Sequence, residues 1–205
     1  MKIVIVNYNM GNPSSIANMI KRIGYESKIT SEHEVIKNAD KLILPGVGSF
    51  DKAIENLEVL NLIELLNEKV LIKKVSVLGI CLGMQLLTHN SEEGKLKGFG
   101  WINATTVKFS NNEFTNLKYP HMGWNLLNIK KEHPLFYEMY DDPRFYFVHS
   151  YYVNCNNERD ILTTTEYGIQ FCSSIAKENI MGVQFHPEKS HKYGLKLLKN
   201  FIEKI

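Results

Sequence analysis

Cysteine is scarce: Cys81, Cys155 and Cys172 are the only three in a chain of 205 residues. Their number is odd and none stands in a C-x-x-C spacing, which argues against a disulfide framework or a thiolate zinc site and for a reducing compartment. Long apolar runs are lacking too. The longest uncharged one, Val75 to Leu87, falls short of the ~20 residues a membrane helix needs, and Ser76 and Gln85 interrupt it. At the N-terminus the apolar stretch Ile3 to Val6 is too short for a secretory leader and no small-residue cleavage site follows. The expected location is the cytoplasm. There is little excess charge of either sign: the net value is +2, with no dense Lys/Arg run interleaved with aromatics, so a nucleic-acid surface is not expected. No internal repeat, low-complexity tract or Gly/Ser/Pro-rich linker divides the chain. A single domain spanning 1–205 is the expectation.

What is present is an alternation of strand and helix signals. Ile3 to Val6 is a continuous β-branched run, suited to a strand buried on both faces of a sheet. Asn12-Pro13 opens a helix as cap and first-turn proline, with Ile16, Met19, Ile20 and Ile23 on one face and Gly24 at its end. Ser27 to Thr30 reads as a second strand, and Ser31 with Glu34 as the capping box of a short helix. Leu42 to Leu44 is a third strand, stopped by Pro45-Gly46. Amphipathic helix fills Phe50 to Glu68, and Val75 to Ile80 is a fourth strand followed by helix-forming Met84 to His89. This βαβα order predicts an α/β fold with a mostly parallel sheet, helices on both faces, and ligands at the carboxyl ends of the strands. From Trp101 to Glu166 shorter alternating stretches, among them Thr105 to Phe109, Phe145 to Val148 and Ile161 to Thr165, predict a smaller antiparallel section in the second half. Ile180 to Phe185 is a further strand. Leu195, Leu198, Phe201, Ile202 and Ile205 set the apolar face of a terminal helix.

Three segments carry chemistry. Gly79-Ile80-Cys81-Leu82-Gly83 stands where a buried strand turns directly into a helix, the layout of a nucleophile elbow with cysteine as the nucleophile. A helix starting there aims its dipole and free N–H groups at the sulfur and favours the reactive thiolate, and the Leu82 N–H becomes an oxyanion donor. Taken alone, the pentapeptide fits a small buried hydrophobe equally well. His186-Pro187-Glu188 ends the last strand. On extended chain residues i and i+2 point to one side, so Glu188 can steady the His186 imidazole while it faces the thiol. Pro45-Gly46-Val47-Gly48 follows the third strand and can offer a second N–H, although such a sequence also serves as a plain turn.

Together and in this order, the segments resemble the class I (triad) glutamine amidotransferases, over essentially the whole chain. The resemblance implies a flavodoxin-like three-layer fold and hydrolysis of L-glutamine to glutamate and ammonia without a metal or organic cofactor. It makes Cys81 the nucleophile, His186 the general acid/base and Glu188 the orienting carboxylate, with the N–H groups of Leu82 and Val47 as oxyanion donors. Gly48, Gln85, Ser150 and Tyr151 would hold the glutamine. Within that family, Asn7 to Asn12, Pro45 to Gly48, Pro120 to Asn125, Tyr146 to Tyr151 and Gln184 to Lys189 are similar to the glutaminase subunits that pass ammonia to a separate (β/α)8 cyclase subunit, as a heterodimer, in histidine biosynthesis. The likeness places Asn12, Trp124, Tyr146 and Lys189 on the partner-facing surface. Asn9 stands where that pattern has a glycine. Chains of this kind also donate ammonia for amidination of nucleotide-linked or surface sugars, an alternative that leaves the glutaminase chemistry unchanged.

Overall fold

A computed structural model describes residues 1–109 and 118–205. Its centre is a run of five parallel strands: β1 (Ile3–Val6), β2 (Ser27–Thr30), β3 (Lys41–Leu44), β4 (Ser76–Ile80) and, late in the chain, β12 (Ile180–Val183). Their spatial order, β2-β1-β3-β4-β12, is that of a doubly wound flavodoxin-like sheet. Strands β1, β3 and β12 are buried along their whole length, as unbroken β-branched and aliphatic runs require when both faces are covered. Alternate side chains divide the core in two: Ile3 and Ile5 join the α1 (Pro13–Arg22) and terminal-helix side, Val4 and Val6 the side of α2 (His33–Lys37), α3 (Phe50–Val59) and α4 (Leu62–Asn67). Helices therefore flank both faces, as expected.

A short helix α5 (Leu82–Gln85) follows β4, and β5 (Ala104–Lys108) begins the antiparallel part. Strand β6 (His121–Leu126) pairs with β8 (Arg144–His149) as a separate two-stranded ribbon. Strand β7 (Asn128–Ile129), β9 (Tyr151–Cys155), β10 (Ile161–Tyr167) and β11 (Ile169–Lys177) extend the main sheet antiparallel beyond β12. The last helix, α6 (His191–Glu203), buries Leu197, Leu198, Phe201 and Ile202. Among the described residues no helix is long and apolar enough to cross a membrane.

Local expectations fared unevenly. Asn12 caps α1 through its side chain, which accepts the Ser15 N–H at 3.1 Å. The Ser31/Glu34 capping box does not form: α2 starts at His33, and the Thr30 hydroxyl instead accepts the Glu32 N–H at 3.0 Å. The predicted helix Phe50 to Glu68 is two helices, broken where Asn61 adopts φ 54°. The helix after β4 ends at Gln85 rather than running from Met84 to His89. There the Thr88 hydroxyl donates to the Gln85 carbonyl at 2.8 Å, drawing off an acceptor that a continuing helix would use, and the His89 N–H turns to Ala104 O at 3.0 Å.

Candidate active site

All five parallel strands present their carboxyl ends on one side, and the chemistry-bearing segments are the turns that leave β1, β3, β4 and β12 there. Cys81 is the turn between β4 and α5, at φ 54° and ψ −109°. A non-glycine residue in that region is strained, and the neighbours show what enforces it. The Cys81 N–H is tied to Val183 O at 2.7 Å. A Cβ added to Gly83 would sit 1.9 Å from Leu44 O, so only glycine lets α5 start so close to β3. As the first N–H of a helix, that of Leu82 has no intrahelical acceptor.

The Pro45 to Gly48 turn lies directly against this elbow: a Cβ on Gly46 would meet Leu82 Cβ at 2.6 Å and Gly83 N at 2.7 Å. Behind it, the buried Tyr8 hydroxyl donates to the Pro45 carbonyl. Burial pushes the Tyr8 phenol well above its ordinary range, and charge on Cys81 adds to the rise. Val47 is half exposed and Gly48 has φ 124°.

His186 leaves β12 extended, with φ −102° and ψ 97°. Glu188 reaches it through a 3-10 turn over Pro187–Lys189 rather than along extended chain, which corrects the expected geometry while keeping the pair. His186 Nδ1 lies 2.7 Å from Glu188 Oε1, and both side chains are buried. The backbone is held as firmly: the His186 N–H donates to Tyr146 O at 2.8 Å, and the Ser190 hydroxyl donates to His186 O at 2.6 Å. His186 Nε2 is buried without a hydrogen-bond partner. Burial alone would lower the basicity of this ring. The pull of Cys81 and then of Glu188 outweighs it, and the pKa is pushed up to about 10.

A cavity of about 260 Å3 opens over the sulfur. It gathers Cys81, Leu82, Val47, Gly48 and Gln85 with Ser150 and Tyr151 from the β8–β9 junction. Glu93 also lines it from outside the quoted segments, and so do Pro120, Val148 and His149, which stand in quoted segments but were given no site role there. Larger depressions, of about 560 and 650 Å3, lie beside Met1 to Val4 and around Ile129 to Glu138 and hold none of these groups. Gln85 is buried, and its Nε2 donates to Tyr151 O and to Gln184 Oε1, each at 3.2 Å. His149 and His121 form a neutral pair, Nε2 to Nδ1 at 3.0 Å; burial takes their pKa values down to about 3 and about 4. Among the described residues no group of three or more His, Cys, Asp or Glu side chains comes together as a metal site.

Of the four residues expected on the partner-facing surface, three form one cluster where the β6–β8 ribbon meets the 187–189 turn. Trp124, 46% exposed, lies 6.4 Å from the Tyr146 ring and stacks on His191 at 5.4 Å, while Lys189 Nζ sits 5.4 Å over Tyr146. Asn12 is exposed at the start of α1, a helix that packs on the 187–189 turn.

Residues 4–205 match the family model for glutamine amidotransferase class-I. A relative from Methanococcus maripaludis, named imidazole glycerol phosphate synthase subunit HisH 2, is 56% identical over 98% of both chains. One from Sulfurimonas denitrificans, named imidazole glycerol phosphate synthase subunit HisH, is 48% identical over 97% of this chain and 96% of its own. A solved structure described as a glutamine amidotransferase superposes with a TM-score of 0.75 at 17% identity, covering 98% of this chain and 97% of that one, a likeness of fold. An elbow cysteine, a buried His–Glu pair and a family match running almost end to end agree: the chain belongs to the class I glutamine amidotransferases, with HisH subunits among its near relatives.

Proposed function

We propose that this single-domain chain hydrolyses L-glutamine at Cys81 and delivers the ammonia to a separate (β/α)8 cyclase subunit, as the glutaminase half of a cytoplasmic imidazole glycerol phosphate synthase. The observation that carries the chemistry is the buried His186–Glu188 pair at 2.7 Å, its far nitrogen unengaged beside a sulfur on a strained elbow. In this reading the Cys81 thiolate attacks the side-chain amide carbon of glutamine, and N–H groups at Leu82 and Val47 take up the oxyanion. His186 then protonates the departing ammonia. Water, deprotonated by His186, cleaves the resulting thioester and regenerates the thiolate. Gly48, Ser150 and Tyr151 shape the glutamine cavity with Gln85, and Glu93 offers a carboxylate for the substrate ammonium.

Identity of 56% to a HisH subunit supports the histidine pathway as the destination, and the cluster of exposed Trp124 and Lys189 about half-buried Tyr146 supports a docked partner. Complementation of a histidine auxotroph lacking this subunit tests the assignment. Growth that requires Cys81 is expected. No growth despite full glutaminase activity and partner binding would redirect the ammonia to another acceptor, such as a sugar.

A further inference from the structure

Beyond the triad, the sulfur has a neighbour whose side chain is fully buried. Gln184, the residue after β12, points its Nε2 at Cys81 Sγ from 3.6 Å. Its backbone is pinned by a hydrogen bond from its own N–H to Ser173 O at 2.9 Å. Its Oε1 accepts from Gln85 Nε2 at 3.2 Å, and this contact settles the orientation of the amide: with the oxygen occupied on the Gln85 side, the NH2 end faces the sulfur. Gln85 is held in turn by Tyr151 O at 3.2 Å.

We propose that Gln184, oriented by Gln85, is a catalytic residue that donates a hydrogen bond to the Cys81 sulfur and stabilises it as a thiolate. This rests on the reading of Cys81 as the nucleophile. The sulfur also meets the Val148 carbonyl at 3.9 Å, an acceptor that suits S–H and repels S⁻. The titratable groups around the sulfur are His186 at the end of β12, Tyr8 at the end of β1, and His149 and Glu93 across the cavity. His186 gives up its proton to the leaving ammonia during acylation. In deacylation the C–S bond breaks as water's oxygen bonds the acyl carbon, and the electron pair returns to sulfur. A side-chain amide keeps its N–H through both steps, so Gln184 can receive that charge whatever the protonation state of His186. The same chain of contacts gives Gln85 a second duty: its amide nitrogen serves the wall of the site.

The test uses the full chain and follows alkylation of Cys81 by iodoacetamide across the pH range, read by peptide mass. Gln184→Met removes the donor at nearly constant volume, and Gln184→Glu keeps the acceptor for Gln85. Both are expected to move the midpoint of alkylation upward by about one pH unit, a roughly tenfold loss of thiolate at pH values well below the midpoint, with cooperative thermal unfolding retained. An unmoved midpoint in folded Gln184→Met overturns the proposal, and so does one in Gln184→Glu should the Met variant not fold. If a glutamine-like alkylating reagent fails to label Cys81 in the unaltered chain, the nucleophile assignment falls and takes this proposal with it. Normal labelling with no shift removes Gln184 alone.

Discussion

Replacing Glu188 by glutamine deletes one charge from the buried pair and keeps its shape. The His186 pKa stands at about 10 against an ordinary 6.5, a rise of 10 − 6.5, or about 3.5 units; at ~1.36 kcal/mol per unit this is roughly 5 kcal/mol of preference for the charged ring. The side chains are 1% and 4% exposed, so solvent screens little of it. That preference is the sum of what Cys81 and Glu188 add against burial. An amide can still accept the Nδ1 proton but loses the charge assistance, so the ring should titrate below the value it has beside the carboxylate. The sign follows from linkage: with the folded value above the unfolded one, the stabilisation is complete below ~6.5 and is lost as pH rises through about 10. Ring C–H resonances of His186 and urea unfolding at about pH 6, 8 and 10 measure both quantities. The unaltered chain should keep a charged ring at pH ~8 and lose stability toward ~10, whereas Glu188→Gln should lose its share at lower pH. A wild-type ring titrating near ~6.5 would refute the reasoning. So would a variant whose stability falls in parallel with the wild type.

Cys81→Ala should abolish glutamate release without unfolding the chain, and high ammonia supplied with partner and acceptor should restore synthesis; failure of rescue in an intact complex would place the thiol in the synthase step. His186→Ala should damage hydrolysis nearly as much as loss of the thiol, and Glu188→Gln less than either, with non-additive combinations; steady-state rates of the three variants rank them. Gly83→Ala would put a methyl 1.9 Å from Leu44 O and should lower stability by at least ~1 to 3 kcal/mol, read as a drop in unfolding midpoint; an unchanged midpoint would show that the β3–α5 approach is not tight. Trp124→Ala, at a residue 46% exposed, should weaken stimulation by the partner more than basal hydrolysis. The glycines flanking Val47 let its peptide rotate, so a partner that turns this N–H into the oxyanion position should raise glutamate release by ~10² to 10³; equal turnover with and without partner and acceptor would instead describe a free-standing hydrolase.

The parts most legible in the sequence were those fixed by short-range chemistry. Buried strands announce themselves as unbroken runs such as Ile3 to Val6, and a proline after asparagine marks the start of α1 because cap and first turn are local. The elbow was legible for the same reason: Gly79 and Gly83 bracket Cys81 within five residues. Long-range competition hid the rest. Thr88 looks helical until its hydroxyl is seen to take the Gln85 carbonyl, and the Ser31/Glu34 pattern yields to a turn set by Thr30. Glu93 reaches the cavity from a segment that carries no local mark, and Val148 and His149 do so from beside Ser150 with nothing in their identity to tell it. Gln184 stood in a quoted motif, yet nothing in its neighbours tells that its amide faces the sulfur of a residue 103 positions earlier.

The ribbon of β6 and β8 grips the triad through main-chain atoms: the Tyr146 carbonyl receives the His186 N–H, and the Tyr146 N–H reaches the Ser190 hydroxyl at 3.0 Å. Side-chain identity at position 146 is thus uncoupled from the attachment of His186, and Trp124 opposite it projects outward. Substitutions on the outer face of this ribbon therefore leave the main-chain hold on His186 in place. A change in what docks on that face would call for new side chains there and no rebuilding underneath.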